Sequence, residues 1–233
     1  MASRPGFPAT TWADGRLGAA RPAPTTITPV TTELEIVAAE ASTCTKCRLS
    51  ETRTQVVFGT GAPQARLLFI GEGPGAQEDA QGLPFVGRSG KLLDQLIAEE
   101  LAMTRAQVYI ANVVKCRPPD NRDPKPDEID ACRPYLTAQL DLIRPGVVIT
   151  LGRYAAQWLL NTTEGIGKLR GKAYPFAHGV LIPTLHPAAA LRGGAEPLAQ
   201  MRADFVRAKL TLADMDAGKA PAGDVPGQGD LFS

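Results

Sequence analysis

The four cysteines of this 233-residue chain fall into a pattern that points to metal chemistry. Cys44-Thr-Lys-Cys47 sets two thiols one tight turn apart, as a chelating pair requires, and Cys116 and Cys132 are the remaining two. One centre could use all four only if the fold carries the distant pair to the near one. Four thiolates can hold zinc or an iron–sulfur cluster, and spacing alone does not choose between them. The plainer alternative is that they are small buried core residues. A second constellation is Gly71-Glu-Gly-Pro-Gly-Ala76, which satisfies G-x-G-x-x-A after an apolar run and would suit a dinucleotide. Against that reading, Glu78 and Asp79 follow where a pyrophosphate wants positive charge, and the next apolar run ends on Asn112 instead of an acid. The glycines more safely imply a backbone that a planar or bulky group approaches closely. His186 is one of only two histidines, and Phe85 sits in Gly82-Leu-Pro-Phe-Val-Gly87. Taken singly, each has an ordinary structural reading, as does Asn112 at the end of a run. His178 reads as surface loop.

These residues need elements to position them. Apolar runs at 66–71, 108–113, 147–152 and 180–184 read as strands buried on both faces. Helical patterns occupy 90–102, where Leu92, Leu93, Leu96, Ile97 and Leu101 share one face, and 126–143, which opens on proline and acids. Further helices are read at 32–41, 153–160 and 197–212. Strands alternating with helices predict an α/β fold: a three-layer α/β/α sandwich with a central four-stranded, mostly parallel sheet. In such sheets ligands bind beyond the carboxyl ends of the strands, where Glu72, Asn112, Gly152 and His186 fall.

A composition of 44% hydrophobic and 21% charged residues supports one core, and no internal repeat is present. The domain is expected at 33–214, between a disordered arm at 1–32 and a flexible tail at 215–233. No continuous apolar stretch near the start suggests a signal or a membrane span, so a cytoplasmic protein is expected, whose thiols are not structural disulfides. A net charge of +1 excludes a protein that coats DNA through overall basicity; any nucleic-acid contact must be a local patch.

Four ordered motifs, Gly71-Glu-Gly-Pro-Gly75, Gly82-Leu-Pro-Phe-Val-Gly87, Asn112-Val-Val-Lys-Cys-Arg-Pro-Pro119 and His186-Pro-Ala-Ala-Ala-Leu-Arg192, resemble those of the iron–sulfur uracil-DNA glycosylases, family four of the uracil-DNA glycosylase superfamily. The resemblance covers roughly residues 34–212. It implies that Cys44, Cys47, Cys116 and Cys132 hold a [4Fe–4S] cluster, and that the chain removes uracil from single- and double-stranded DNA by hydrolysing the base–sugar bond, leaving an abasic site. On this likeness the flipped base stacks on Phe85. Asn112, carrying both a donor and an acceptor, reads the N3–H and O4 of uracil, and His186 donates to O2 as charge builds there. Glu72 and Gly73 stand where other superfamily members carry glutamine and a water-activating aspartate. Backbone N–H groups there would stabilise the uracil anion, and Glu72 would position or polarise water. Glu78 corresponds to a family residue at the C5 edge that would exclude thymine. No lysine nucleophile matches the pocket, which implies hydrolysis without strand cleavage.

DNA contacts are expected from Leu191 and Arg192, which would fill the gap left by the flipped base because alanines occupy 188–190. Excision from single strands would then be relatively favoured. Phosphate contacts are expected from Lys115 and Arg170, with Arg117, Arg122, Arg153, Lys168 and Lys172 as further candidates. A related branch that links covalently to DNA through a histidine in an inserted loop is disfavoured, since 118–128 contains none. The C-terminus resembles a sliding-clamp peptide through Gln228, Leu231 and Phe232. A monomer is expected. The competing readings are a dinucleotide-dependent oxidoreductase and a metal-stabilised module that binds damaged DNA without cutting it.

Overall fold

The computed structural model describes residues 30–219 and 223–224. The expected N-terminal arm lies almost wholly outside them, as do Gln228, Leu231 and Phe232 of the clamp-like tail. Eight helices and six strands follow in chain order among the described residues. They are α1 (Val30–Ser42), β1 (Thr60–Gly61), β2 (Leu67–Gly71), α2 (Ala76–Gln81), α3 (Arg88–Leu101), β3 (Tyr109–Asn112), α4 (Pro126–Ile143), β4 (Val147–Leu151), α5 (Arg153–Leu159), α6 (Ile166–Leu169), β5 (Tyr174–Phe176), β6 (Gly179–Thr184), α7 (Pro187–Gly193) and α8 (Ala195–Asp216).

The strands form one sheet in the order β1-β3-β2-β4-β6-β5. The four expected strands are its parallel centre, with Gly71 beside Asn112 and Leu67 beside Val147. The expectation of four strands is corrected to six, because β1 and β5 add antiparallel edges. These edges are two and three residues long, too short to leave an apolar period in the sequence.

Alternation of side chains along each central strand feeds two cores. Leu67, Phe69, Val147, Ile149, Val180 and Ile182 meet α3, α7 and α8 on one face, where the Phe69 and Phe205 rings lie 5.4 Å apart. Leu68, Ile70, Val148 and Leu181 meet α1, α4, α5 and α6 on the other. Burial on both faces explains why the strands are apolar throughout. The chain steps from β2 outward to β3 and then back across β2 to β4, so the loops after β2 and β4 diverge. This is the switch point at which sheets of this type open a crevice. Among the described residues no helix is long and apolar enough to cross a membrane.

Two polar pins hold the outer layers. Glu128, fully buried at the start of α4, accepts from Arg122 at 2.6 and 2.8 Å and from the Lys125 N–H at 2.8 Å, clamping the 118–125 loop. Asp204 on α8 is also buried, and accepts from Arg170 at 2.8 and 3.1 Å and from the Thr184 hydroxyl at 2.7 Å. Arg170 further donates to the Gln200 carbonyl at 2.7 Å. Its expected role at DNA is therefore corrected: the guanidinium is spent inside the fold, where it neutralises a buried carboxylate. Arg170→Ala is expected to lower stability by about 3 kcal/mol in thermal denaturation, since it strands Asp204. Its DNA affinity, measured well below the melting temperature, should stay unchanged.

Candidate functional site

The carboxyl ends of the parallel strands bring Asn112, Phe85 and His186 together. Asn112 ends β3 next to Gly71, and its side chain turns over that glycine. A Cβ at 71 would lie 2.4 Å from Asn112 Oδ1 and 2.6 Å from Phe85 Cζ, so only glycine lets the amide and the ring close over the strand end. Asn112 is buried, and its Oδ1 has no hydrogen-bond partner. An unpaired buried acceptor is costly unless something completes it.

Phe85 is buried in an unusual backbone state, φ 52°, which a bulky residue adopts only when its surroundings impose it. The constraint comes from both sides. Arg105 donates to the Phe85 and Pro84 carbonyls and is anchored by Asp94. Glu78 accepts from the Val86 and Gly87 N–H groups at 2.9 and 3.1 Å. Glu78 thus braces the loop carrying the aromatic ring. Its neighbour Asp79, buried, accepts from the Thr54 N–H at 2.9 Å and ties the segment after the near cysteines to the same short helix.

The His186 ring stands 5.8 Å from that of Phe85. Its Nδ1 accepts the Ala188 N–H at 3.1 Å, which fixes the neutral tautomer with its proton on Nε2. Burial, aided by the charge of Arg192, pushes the imidazole down to about 4, with Glu78 opposing. At neutral pH the ring is an uncharged donor. Gly152 after β4 makes room for it: its φ is 101°, and an added Cβ would meet His186 Cβ at 3.1 Å. Leu191 and Arg192 protrude from α7, exposed, one turn beyond His186.

Glu72 faces elsewhere. It lines a cleft of about 670 Å³ between the loop after β2 and helices α4 and α5, with Val113, Ile129, Tyr154 and Trp158. Burial raises its carboxyl to about 7, helped by the charge of Asp123 and a hydrogen bond with it, while Arg153 opposes. Tyr154 donates to Asp123 and accepts from Arg153, completing a small proton-sharing group. Gly73 lies alongside, against Val114.

The four cysteines, scattered over 89 positions of sequence, surround one hollow together with Arg53, Lys115 and Tyr135. Among the described residues no three His, Cys, Asp or Glu side chains could hold a single metal ion. Four thiols around one hollow form a donor set of the kind that binds a group through four thiolates. N–H donors point at the sulfurs: Lys115 N at 3.2 Å from Cys132, with Arg53 and Lys46 N each at 3.5 Å from Cys116 and Cys44. Burial raises the thiols of Cys47, Cys116 and Cys132, Cys116 to about 11, so loading the site must release protons.

Lys115 is a second correction. It is buried, not presented to phosphates, and its Nζ donates to the Asn112 carbonyl at 2.8 Å and to Gln139 Oε1 at 2.5 Å. Arg122 is likewise committed to Glu128, whereas Arg153, Lys168 and Lys172 are exposed. No local pattern marks Arg105, Asp123, Tyr154 or Gln139, whose partners lie far along the chain. Only Gly152, as a strand-end glycine, carried a visible signal.

The family model described as Uracil DNA glycosylase superfamily matches residues 58–208. The chain is 50% identical over 166 residues to the Type-4 uracil-DNA glycosylase of Saccharolobus solfataricus, covering 68% of this chain and 77% of that protein. It is 48% identical to the protein of that name from Sulfurisphaera tokodaii, covering 68% and 76%, and 44% identical over 189 residues to that of Thermotoga maritima, covering 80% and 93%. The matched region carries Gly71, Phe85, Asn112 and His186, and with more than half of its length so matched the chain belongs to the uracil DNA glycosylase superfamily.

Proposed function

We propose that the chain excises uracil from DNA by hydrolysing the N-glycosidic bond, leaving an abasic site for base-excision repair. The observation that carries this reading is the buried, unpartnered Asn112 Oδ1 beside the Phe85 ring and the neutral His186. A base with N3–H opposite that oxygen completes it, and the amide NH₂ then meets O4. Cytosine reverses both groups and leaves two buried mismatches. The base reaches this depth only when flipped out of its stack, to lie against Phe85.

As the bond to the sugar breaks, negative charge gathers on the base. Nε2–H of His186 donates to O2, and the N–H groups of Glu72 and Gly73 add to that field. Water supplies the hydroxyl to the sugar carbon, and its proton passes to the departing base or to solvent. The Glu72 side chain, expected to polarise that water, is turned instead into the cleft beside α4 and α5, where burial raises its carboxyl, so its part here is its N–H. Lys115, beside this strand end, is committed to the Asn112 carbonyl and Gln139, which favours hydrolysis without a Schiff base. Glu78 serves exclusion of thymine through the loop it braces. Leu191 and Arg192 fill the vacated stack, and the enzyme acts as a monomer in the cytoplasm on both single- and double-stranded DNA.

The four cysteines fit a [4Fe–4S] cluster. Bound there, it would cross-link the 44–47 turn, the end of β3 and α4 instead of entering the hydrolysis. The tail at Gln228, Leu231 and Phe232 is proposed to bind a sliding clamp.

Release of free base from uracil-containing oligonucleotides tests the main reading. Asn112→Ala and His186→Ala should each lower kcat by about a hundredfold or more. Binding without base release by the unaltered protein would sink the proposal. In a pH series, Glu72→Gln should leave the profile of kcat near pH 7 unchanged, because that carboxyl titrates in the neighbouring cleft and not beside the base. Stability behaves differently. The folded imidazole of His186 titrates at about 4, below its ordinary value near 6.5, so the unfolded chain binds the extra proton first. Its contribution is complete above about pH 6.5 and is lost as pH falls toward 4. Unfolding free energies for His186→Gln should lack that part of the acid slope.

A further inference from the structure

Lys115 is buried to 1% exposure, yet among the described residues no aspartate or glutamate forms an ion pair with it. Its Nζ has two uncharged acceptors, the Asn112 carbonyl and Gln139 Oε1, and the face of Phe58 at 5.8 Å. Gln139 is itself fixed, donating to the Phe58 carbonyl at 2.9 Å and to the Tyr109 hydroxyl at 3.3 Å. Neutral acceptors complete the hydrogen bonds but leave a buried positive charge uncompensated, at a cost of several kcal/mol. The nearby source of negative charge is the ring of thiols. Lys115 precedes Cys116, its N–H points at Cys132 Sγ, and it helps line the hollow that all four cysteines surround. Four thiolates around an iron–sulfur core carry net negative charge in the same buried volume.

We propose that Lys115 is the counter-charge of the cysteine-bound cluster and a positioning residue for the uracil-reading amide, joining the two through its bond to the Asn112 carbonyl. This rests on the cluster reading above. The ammonium is held toward the sulfurs by charge, and its hydrogen bond closes the turn from Asn112 to Lys115 on itself. Val113 and Val114 of that turn bond back to Gly71 and Glu72. The cluster thereby sets the tilt of the peptide whose side chain reads the base. Gln139, on α4 seven residues after Cys132, completes the strut from the side of the cysteine-bearing helix.

The full chain is purified with its cluster, and Lys115→Met and Lys115→Arg are compared with it by iron content, cluster reduction potential and steady-state kinetics on a uracil-containing single strand. Lys115→Met should shift the potential negative, since a positive charge beside the cluster is gone, and should lower kcat roughly tenfold with KM nearly unchanged. Lys115→Arg should recover the potential and part of kcat. Should Lys115→Met fail to fold, Gln139→Glu carries the test, because its carboxylate competes for the ammonium and must also shift the potential negative. A loaded Lys115→Met protein with unaltered potential and kcat would overturn the inference and leave the cluster reading intact. So would an unmoved potential in Gln139→Glu. Unaltered protein that holds no iron after anaerobic preparation and still excises uracil would sink both.

Discussion

The missing side chain at Gly71 is the constraint on which the site depends. Two parallel strands end side by side, and the space above one of them is too small for even a methyl group. Into that space the amide of Asn112 and the ring of Phe85 converge from different parts of the chain. Every other feature of the pocket presupposes this closeness: the brace from Glu78, the clamp from Arg105, and the room that Gly152 leaves for His186. A parallel sheet supplies the framework because it gathers its carboxyl ends along one edge. Groups that are 74 residues apart, as Asn112 and His186 are, then flank the same Phe85 ring.

Charge is handled differently at the two ends of the site. Around Asn112 and Phe85, the fold withholds it: His186 is kept neutral by burial. Around the cysteines, the fold collects N–H donors and cations, from Arg53 to Lys115. A neutral donor suits a leaving group whose charge appears only as the bond breaks, since its hydrogen bond strengthens as that charge develops and no unpaired buried cation has to be held beforehand. A cationic ring suits thiolates that must be deprotonated before they can bind anything.

Much of this was legible in the sequence, for reasons that can be named. Strands buried on both faces are written as unbroken apolar runs, and α4 runs from Pro126 to Ile143 as its opening proline and acids announce. Asn112 and His186 stand at strand ends, where the fold class puts ligands, but their expected roles, and that of Phe85 beyond α2, came from the resemblance of their motifs to a family. Charged residues next to those motifs were misread. Lys115 and Arg170 look like solvent-facing cations until Gln139 and Asp204, 24 and 34 positions later, are folded against them. No local pattern encodes such partners. The same holds for Glu78, whose backbone donors lie eight and nine residues ahead, and for Tyr154, which reaches back 31 residues to Asp123. The edge strands escaped because two or three residues cannot display a period.

The left-handed backbone at Phe85 has a thermodynamic meaning beyond its geometry. A loop bearing an aromatic ring ordinarily gives up conformational freedom when a ligand settles on it, and that loss is subtracted from affinity. Here the loop surrenders its freedom during folding, held by Arg105 on one side and Glu78 on the other. An incoming base meets a surface that has nothing left to order. On the function proposed above, discrimination falls to the edge contacts at Asn112, and a wrong base is not offered an adaptable loop that could mould itself to the mismatch.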